Sequence, residues 1–229
     1  MSETTADPQV LSTSEGDFPL QEFRLPLGGR EIGILHTNAL LSQANEAEFL
    51  FQFKHIVPYG VALWPSAIAL AQEVAARADA MRATSVLELG AGTGLPGIVA
   101  AALGARVVQT DKEEVAMELC RRNGERNGIA SVDYRLVDWT AWGDAARYDW
   151  IIGSDVLYGE TVHPHVRRIF ETNLAAGGRI LLSDPFRAMS IRFLEALEAD
   201  GWKIAMTRWS VGEGPERRAI GVFELAPPK

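Results

Sequence analysis

Between residues 85 and 183 short apolar runs alternate with stretches whose apolar residues recur every three or four positions. The runs Ser85–Leu89, 106–110, 133–137, 150–154 and 179–183 predict strands covered on both faces. Helices are expected between them, near 95–103, 112–126 and 161–174, with another at 189–199. Upstream, Ile68, Leu70, Ala71 and Val74 form an apolar stripe that predicts a helix over 66–77. Gly177 and Gly201 stand where helices should stop. Two last apolar runs, 203–209 and 218–225, flank Gly212-Glu213-Gly214-Pro215 and predict an antiparallel hairpin. Residues 21–35 predict another hairpin, with Phe23 and Leu25 facing Ile32 and Ile34 across Gly28-Gly29, and Pro26 on an edge. Residues 38–58 are mixed and partly helical, and the polar residues 1–17 are expected to be a disordered tail. The reading is one domain, 18–229, in which 18–65 form an N-terminal hairpin and lid segment. Its fold class is α/β: a doubly wound, mostly parallel seven-stranded sheet with an N-terminal hairpin extension.

Composition narrows the chemistry. The chain has 229 residues, 47% hydrophobic, which suffices for one buried core. Thirty acids against 22 bases give a net charge of -8, which argues against a nucleic-acid partner and for small molecules or basic protein segments. The single cysteine, Cys120, excludes an intrachain disulfide and fits a reducing, cytoplasmic compartment. His36, His55, His163 and His165 lack metal-ligand spacing, so no metal is expected. No run reaches membrane-spanning length, and no secretory leader pattern opens the chain.

Residues 86–97 read Val-Leu-Glu-Leu-Gly-Ala-Gly-Thr-Gly-Leu-Pro-Gly. Gly90, Gly92 and Gly94 remove Cβ atoms after a strand and permit positive φ in a tight turn, so that a nucleoside-bearing cofactor can touch main chain. Glu88, two residues before the first glycine, suits an ammonium reached directly or through water and would repel a pyrophosphate. That favours S-adenosyl-L-methionine. The segment 92–97 also fits G-x-G-x-x-G, with Asp111 at about the distance a dinucleotide fingerprint expects, so a nicotinamide cofactor is the alternative. A tight turn without a ligand is the plain one.

Other candidates follow the later strands, where ligands sit in such sheets. Asp111 ends the second strand and can accept from both ribose hydroxyls, or else cap the helix after it. Asp138 and Trp139 follow the third; the carboxylate can accept from the adenine amine while the ring borders the base, or the pair can simply cap and pack a turn. Trp64, before the first helix of the parallel unit, belongs either to the core or to a lid over the donor. After the fourth strand, which ends at Ser154, Asp155 can orient an amine acceptor and Tyr158 can align its nitrogen. A capped turn with a packed Tyr is the alternative. Ser183 to Arg187 after the fifth strand fit none of these motifs; Arg187 reads as a contact for an acidic substrate or a solvated helix start.

Trp64, the stretch from Glu88 to Gly97, and Asp155-Val156-Leu157-Tyr158 occur in an order that resembles the small seven-β-strand protein-lysine methyltransferase family. Those proteins carry a Trp before the first helix, E-L-G-A-G-T-G-L-x-G, and D-x-x-Y after strand four; the likeness covers about residues 60–225. The resemblance implies a Rossmann-like class I methyltransferase fold. Asp155 and Tyr158 would then be the catalytic residues of the acceptor site, and Trp64, Glu88, Gly90, Asp111 and Trp139 would line the donor site. Gly92, Gly94, Lys112, Asp138 and Ser154 complete the expected cofactor-binding set. The N-P-P-Y signature of adenine or glutamine amide methylation is absent after strand four. The expectation is a monomeric, cytoplasmic S-adenosyl-L-methionine-dependent N-methyltransferase acting on a lysine side chain of a protein. Its rivals are a small-molecule amine methyltransferase, a non-catalytic module that binds the same cofactor and, more remotely, a nicotinamide-linked oxidoreductase.

Overall fold

The computed structural model describes residues 10–13, 16–41, 43–52, 59–212 and 217–228. The parallel strands are β5 (Ser85–Leu89), β6 (Arg106–Asp111), β7 (Val132–Leu136), β8 (Tyr148–Ser154) and β9 (Leu174–Asp184). With β10 (Lys203–Val211) and β11 (Arg218–Ala226) they form one seven-stranded sheet in the order β10-β11-β9-β8-β5-β6-β7. The last two strands are antiparallel, β11 against β9 and β10 against β11. From β5 the chain winds outward through β6 and β7, then returns to β8 on the other side of β5. The order therefore reverses between β5 and β8, whose register pairs Leu89 with Gly153. In a doubly wound sheet the crevice for a ligand opens beyond the carboxyl ends of the strands at that point.

Helices cover both faces because side chains alternate along each strand. Helices α2 (Pro65–Ala76), α3 (Ala78–Met81) and α4 (Leu95–Ala102) share one buried cluster with Val86, Val107, Ile152, Leu181 and Val222. Helices α6 (His163–Asn173) and α7 (Ala188–Ala199) share the other with Leu87, Leu89, Ile151, Leu182 and Phe223. Helix α5 (Glu114–Arg126) meets the N-terminal segments in a third cluster containing Leu35, Leu40, Phe49, Val61 and Leu119. The strands β3 (Gln21–Leu27) and β4 (Arg30–His36) form the expected hairpin, with Phe23 opposite Ile34 and Leu25 opposite Ile32. Asn123 of α5 ties it down: its Oδ1 accepts from Leu35 N at 2.7 Å, and its Nδ2 donates to Leu35 O and Thr93 O.

Three local expectations are corrected. The tail is not wholly irregular, since β1 (Val10–Thr13) pairs with β2 (Gly16–Pro19) and Leu11 is buried in the third cluster. Leu11 and its cross-strand partner Phe18 anchor a hairpin that composition hides. Gly177 does not stop a helix; β9 begins at Leu174, directly after α6, and Gly177 bends it with φ +79°. Helix α5 starts at Glu114, with Glu113 as N-cap, so Asp111 does not cap it. Within 38–58 the helix is α1 (Gln43–Gln52). The expectations for residues 1–9, 53–58 and the turn positions 213–215 lie outside the described residues.

Candidate functional site

A cleft of about 930 Å³ opens over the carboxyl ends of β5, β6 and β8. Its floor is the glycine turn. Gly90 and Gly92 hold φ +62° and +55°, and Ala91 N bonds Thr110 O of β6 at 2.9 Å, which pins the turn to the neighbouring strand. A Cβ on Gly90 would stand 3.0 Å from Val156 Cγ1, and one on Gly92 would stand 2.9 Å from Gly60 O. Both positions therefore require glycine, on grounds of φ and of space together. Asp111 binds the turn from the side: Oδ2 accepts from Gly92 N and Oδ1 from Glu113 N, both at 3.0 Å. Burial pushes its carboxyl up while these backbone donors oppose the shift.

The segment 59–64 forms the facing wall. A one-turn helix, Tyr59–Val61, lies on the glycine turn, and Trp64 Nε1 donates to Tyr59 O at 2.9 Å. Trp64 meets Phe49 of α1 edge to face, with ring centroids 6.3 Å apart. Beyond β7, Asp138 Oδ1 accepts from Thr140 N and Oγ1, both at 2.8 Å, which caps a short turn and holds the carboxyl below its ordinary range. Trp139 lines the cleft beside it. Its indole Nε1 is buried without a hydrogen-bond partner among the described residues, which a ligand acceptor would relieve.

At the other end β8 delivers Ser154 and then Asp155, whose φ of +57° swings the chain out of the sheet. Asp and Asn tolerate that region better than other side chains. Asp155 N donates to Ser183 O at 2.8 Å, and its carboxylate pairs with Arg187. Burial lifts the Asp155 carboxyl to about 6, against the Arg187 charge, which pulls it down. Tyr158 stands at the mouth, 53% exposed.

Ten of the twelve predicted residues thus meet in one cleft: Trp64, Gly90, Gly92, Asp111, Lys112, Asp138, Trp139, Ser154, Asp155 and Tyr158. Glu88 and Gly94 do not. Strand alternation puts Glu88 on the Val86 face, beneath α4, where Oε2 accepts from Gly97 N at 3.2 Å and Gln109 Nε2 at 2.5 Å. Only 1% exposed, its carboxyl is pushed up to about 8 by burial, and its Oε1 has no hydrogen-bond partner among the described residues. Gly94 is required for packing at the start of α4: φ is +80°, and a Cβ would come 2.5 Å from Cys120 Sγ. Sequence reasoning missed Glu46, Tyr59, Gly60 and His165, and left Arg187 unassigned; all five line the cleft. Gly60 offered one signal, a lone glycine four residues before Trp64. Carboxylates outnumber fixed cations in the lining, with Glu46, Asp111, Glu113, Asp138 and Asp155 against Lys112 and Arg187.

Residues 48–200 match the sequence model of a family described as lysine methyltransferase. A protein N-lysine methyltransferase of Xenopus tropicalis is 37% identical over 130 residues, spanning 55% of this chain and 60% of that protein. A histone-arginine methyltransferase of Mus musculus is 35% identical over 111 residues, spanning 44% of this chain and 43% of that protein. The chain thus spans about half the length of the curated relatives it matches. Among solved structures, a ribosomal protein L11 methylase from Lactobacillus delbrueckii subsp. bulgaricus superposes with a TM-score of 0.56 at 23% identity, over 71% of this chain and 79% of that one. The N-methyltransferase NodS from Bradyrhizobium japonicum, solved with S-adenosyl-L-homocysteine, gives 0.57 at 15% identity over 71% and 87%. These likenesses establish the doubly wound fold of class I methyltransferases.

Proposed function

The chain belongs to the lysine methyltransferase family, and on that footing we propose that it is an S-adenosyl-L-methionine-dependent N-methyltransferase acting on a lysine side chain of a protein. One observation carries the reading: the glycine turn after β5, Asp111 ending β6 and Asp155 after β8 face one another across a single cleft at the point where the sheet reverses. The residues suit the donor. Gly90 and Gly92 leave main chain bare, each Asp111 oxygen keeps a lone pair for a ribose hydroxyl, and Trp139 offers a free N–H. Trp64 and Tyr59 cover the opposite side, Lys112 flanks the ribose position, and the Asp138 Oδ2 is left for the adenine amine.

S-adenosyl-L-methionine supplies an electrophilic methyl on a sulfonium. The protein's part is to hold the acceptor nitrogen in line and to keep water out. The amine lone pair forms the new N–C bond as the C–S bond breaks and its electron pair stays on sulfur; the resulting methylammonium gives its extra proton to solvent. Asp155, at the end of β8, orients the amine, and Tyr158 stands beside it at the mouth. A rim where Tyr59 is 46% and Tyr158 53% exposed suits a side chain presented by a protein better than an enclosed small molecule. Cys120, free and buried, is in keeping with a cytoplasmic setting. No helix among the described residues is long and apolar enough to cross a membrane.

The test is transfer of tritium from labelled donor in a whole cell lysate, which is then dialysed so that the totally hydrolysed proteins and the dialysate are counted separately. Label in N-methyl-lysine is expected. Label in methyl-arginine or in a dialysable amine would reassign the acceptor, and none at all would leave a binding module.

A further inference from the structure

Five charged side chains from five parts of the chain are linked by ion pairs at the β8 end of the cleft, and three of them, Glu46, Asp155 and Arg187, line it. Glu46 comes from α1, Asp155 from the loop after β8, Asp184 from the end of β9, Arg187 from the loop before α7, and Arg218 from β11. Arg187 is the hub. It pairs with Asp155, lies 3.7 Å from Asp184 Oδ2, and lies 4.0 Å from Glu46 Oε1. Its backbone is fixed too: Arg187 N donates to Asp184 Oδ1 at 2.7 Å, and Phe186 before it holds φ +65°. Ser190 Oγ binds the other Asp184 oxygen at 2.6 Å, and Arg218 takes the other Glu46 oxygen at 2.7 Å. The guanidinium of Arg208 lies over the Phe186 ring, 5.8 Å from its centroid. Tyr158 adds no charge, since burial pushes its hydroxyl up. Three carboxylates and two guanidiniums leave this group with one net negative charge.

Resting on the methyltransferase reading, we propose that Arg187 is the resident cation of the acceptor subsite, occupying Asp155 so that the lysine amine is admitted in its neutral form. A bare carboxylate here would attract the ammonium, whose lone pair is tied up by a proton. With a guanidinium already on Asp155, the protonated side chain loses most of that attraction, and the neutral amine competes better for the site. The proton passes to bulk water before entry, and Asp155 keeps an oxygen to accept an N–H from the amine and aim its lone pair. Arginine suits the role because it stays charged across the pH range in which lysine titrates. Arg187 is thus a positioning residue that acts through Asp155 and through the local field. Removing it would take the group from one net negative charge to two and free Asp155 for the ammonium.

The experiment compares the native protein with Arg187→Met, Arg187→Gln and Arg187→Lys. Initial rates of tritium transfer into N-methyl-lysine of dialysed lysate proteins are followed from pH 6.5 to 10, with S-adenosyl-L-homocysteine affinity measured by calorimetry as the check on folding. In Arg187→Met the rise of rate with pH should move up by about one unit, so that the rate near pH 7.5, relative to its own plateau, falls about tenfold. Its KM for the protein acceptor should fall or stay level. Arg187→Lys keeps the charge and should keep the native midpoint. Should the Met variant fail to bind the homocysteine nucleoside, the Gln variant stands in for it. A rate lowered equally at every pH, with the native midpoint retained, would show that Arg187 only braces its loop, and the proposal would be overturned. A native protein that labels no protein lysine would instead defeat the lysine-acceptor reading beneath it.

Discussion

Gly60→Ala is the sharpest probe of how the cleft is walled. Gly60 is not in the left-handed region, so the substitution costs no backbone strain and acts by space alone. The new Cβ would stand 2.9 Å from Ala116 Cβ, 3.4 Å from Gly92 Cα and 3.6 Å from Asp111 Oδ2. Carbon atoms pack at about 3.5–4.0 Å, so the 59–61 segment must lift from α5 and from the glycine turn by about half an ångström or more. Overpacking of this size costs about 1–3 kcal/mol. If the donor rests on the turn that this segment braces, displacing the turn carries part of this cost into binding, up to about 150-fold in affinity. Calorimetric titration with S-adenosyl-L-homocysteine reads it. Ala116→Gly removes the atom that is struck, at about 1 kcal/mol of helix stability, and should restore much of the affinity in the double variant. Coupling of that sign is what a double-mutant cycle isolates. Native affinity in Gly60→Ala, or no recovery in the Ala116→Gly background, would refute the idea that the segment sets the turn on which the donor rests.

Three further expectations concern single side chains. Asp155→Asn preserves an αL-tolerant residue and should leave homocysteine-nucleoside affinity within about twofold while turnover drops at least about tenfold; equal loss of both moves Asp155 out of the acceptor role. Trp139→Phe removes a buried donor without a partner, so the stability of the free protein should hold while affinity for the same ligand falls by about 1 kcal/mol, measured by urea denaturation and calorimetry. Unchanged affinity would mean that the indole N–H meets no ligand atom. Glu88 is raised from 4.5 to about 8, so the folded state holds a proton that the unfolded chain releases from about pH 4.5 upward. Its contribution is full below that range and is lost as pH climbs towards 8, at up to about 1.4 kcal/mol per unit. Glu88→Gln, which keeps an oxygen for Gly97 N and Gln109 Nε2, should flatten urea-derived stability between pH 5 and 8; an unchanged slope would contradict the assignment.

The parallel core was legible because its strands are continuous apolar runs between helical stripes, and the glycines mark the turn itself. Asp111, Ser154 and Asp155 could be placed because each follows a strand end that periodicity locates within a residue or two. Glu88 lies apart from the cleft lining for a related reason. Counting from the glycines puts it near the ligand, whereas strand alternation, which pairs it with Val86, buries it under α4. Glu46 and Arg187 were out of reach by local pattern, and Gly60 offered only a lone glycine before Trp64. Each enters the site through long-range packing: α1 and the 59–61 turn fold back over α5, and Arg187 is brought to Asp155 by the adjacency of β8 and β9. The β1–β2 hairpin likewise depends on Leu11 and Phe18, which find a cluster made by distant residues.

The most direct measurement is a crystal structure with S-adenosyl-L-homocysteine bound. The nucleoside should lie across Gly90 and Gly92, with its ribose hydroxyls on Asp111 and its sulfur open towards Asp155. A nucleoside bound elsewhere, or one whose sulfur faces away from the loop after β8, would contradict the account.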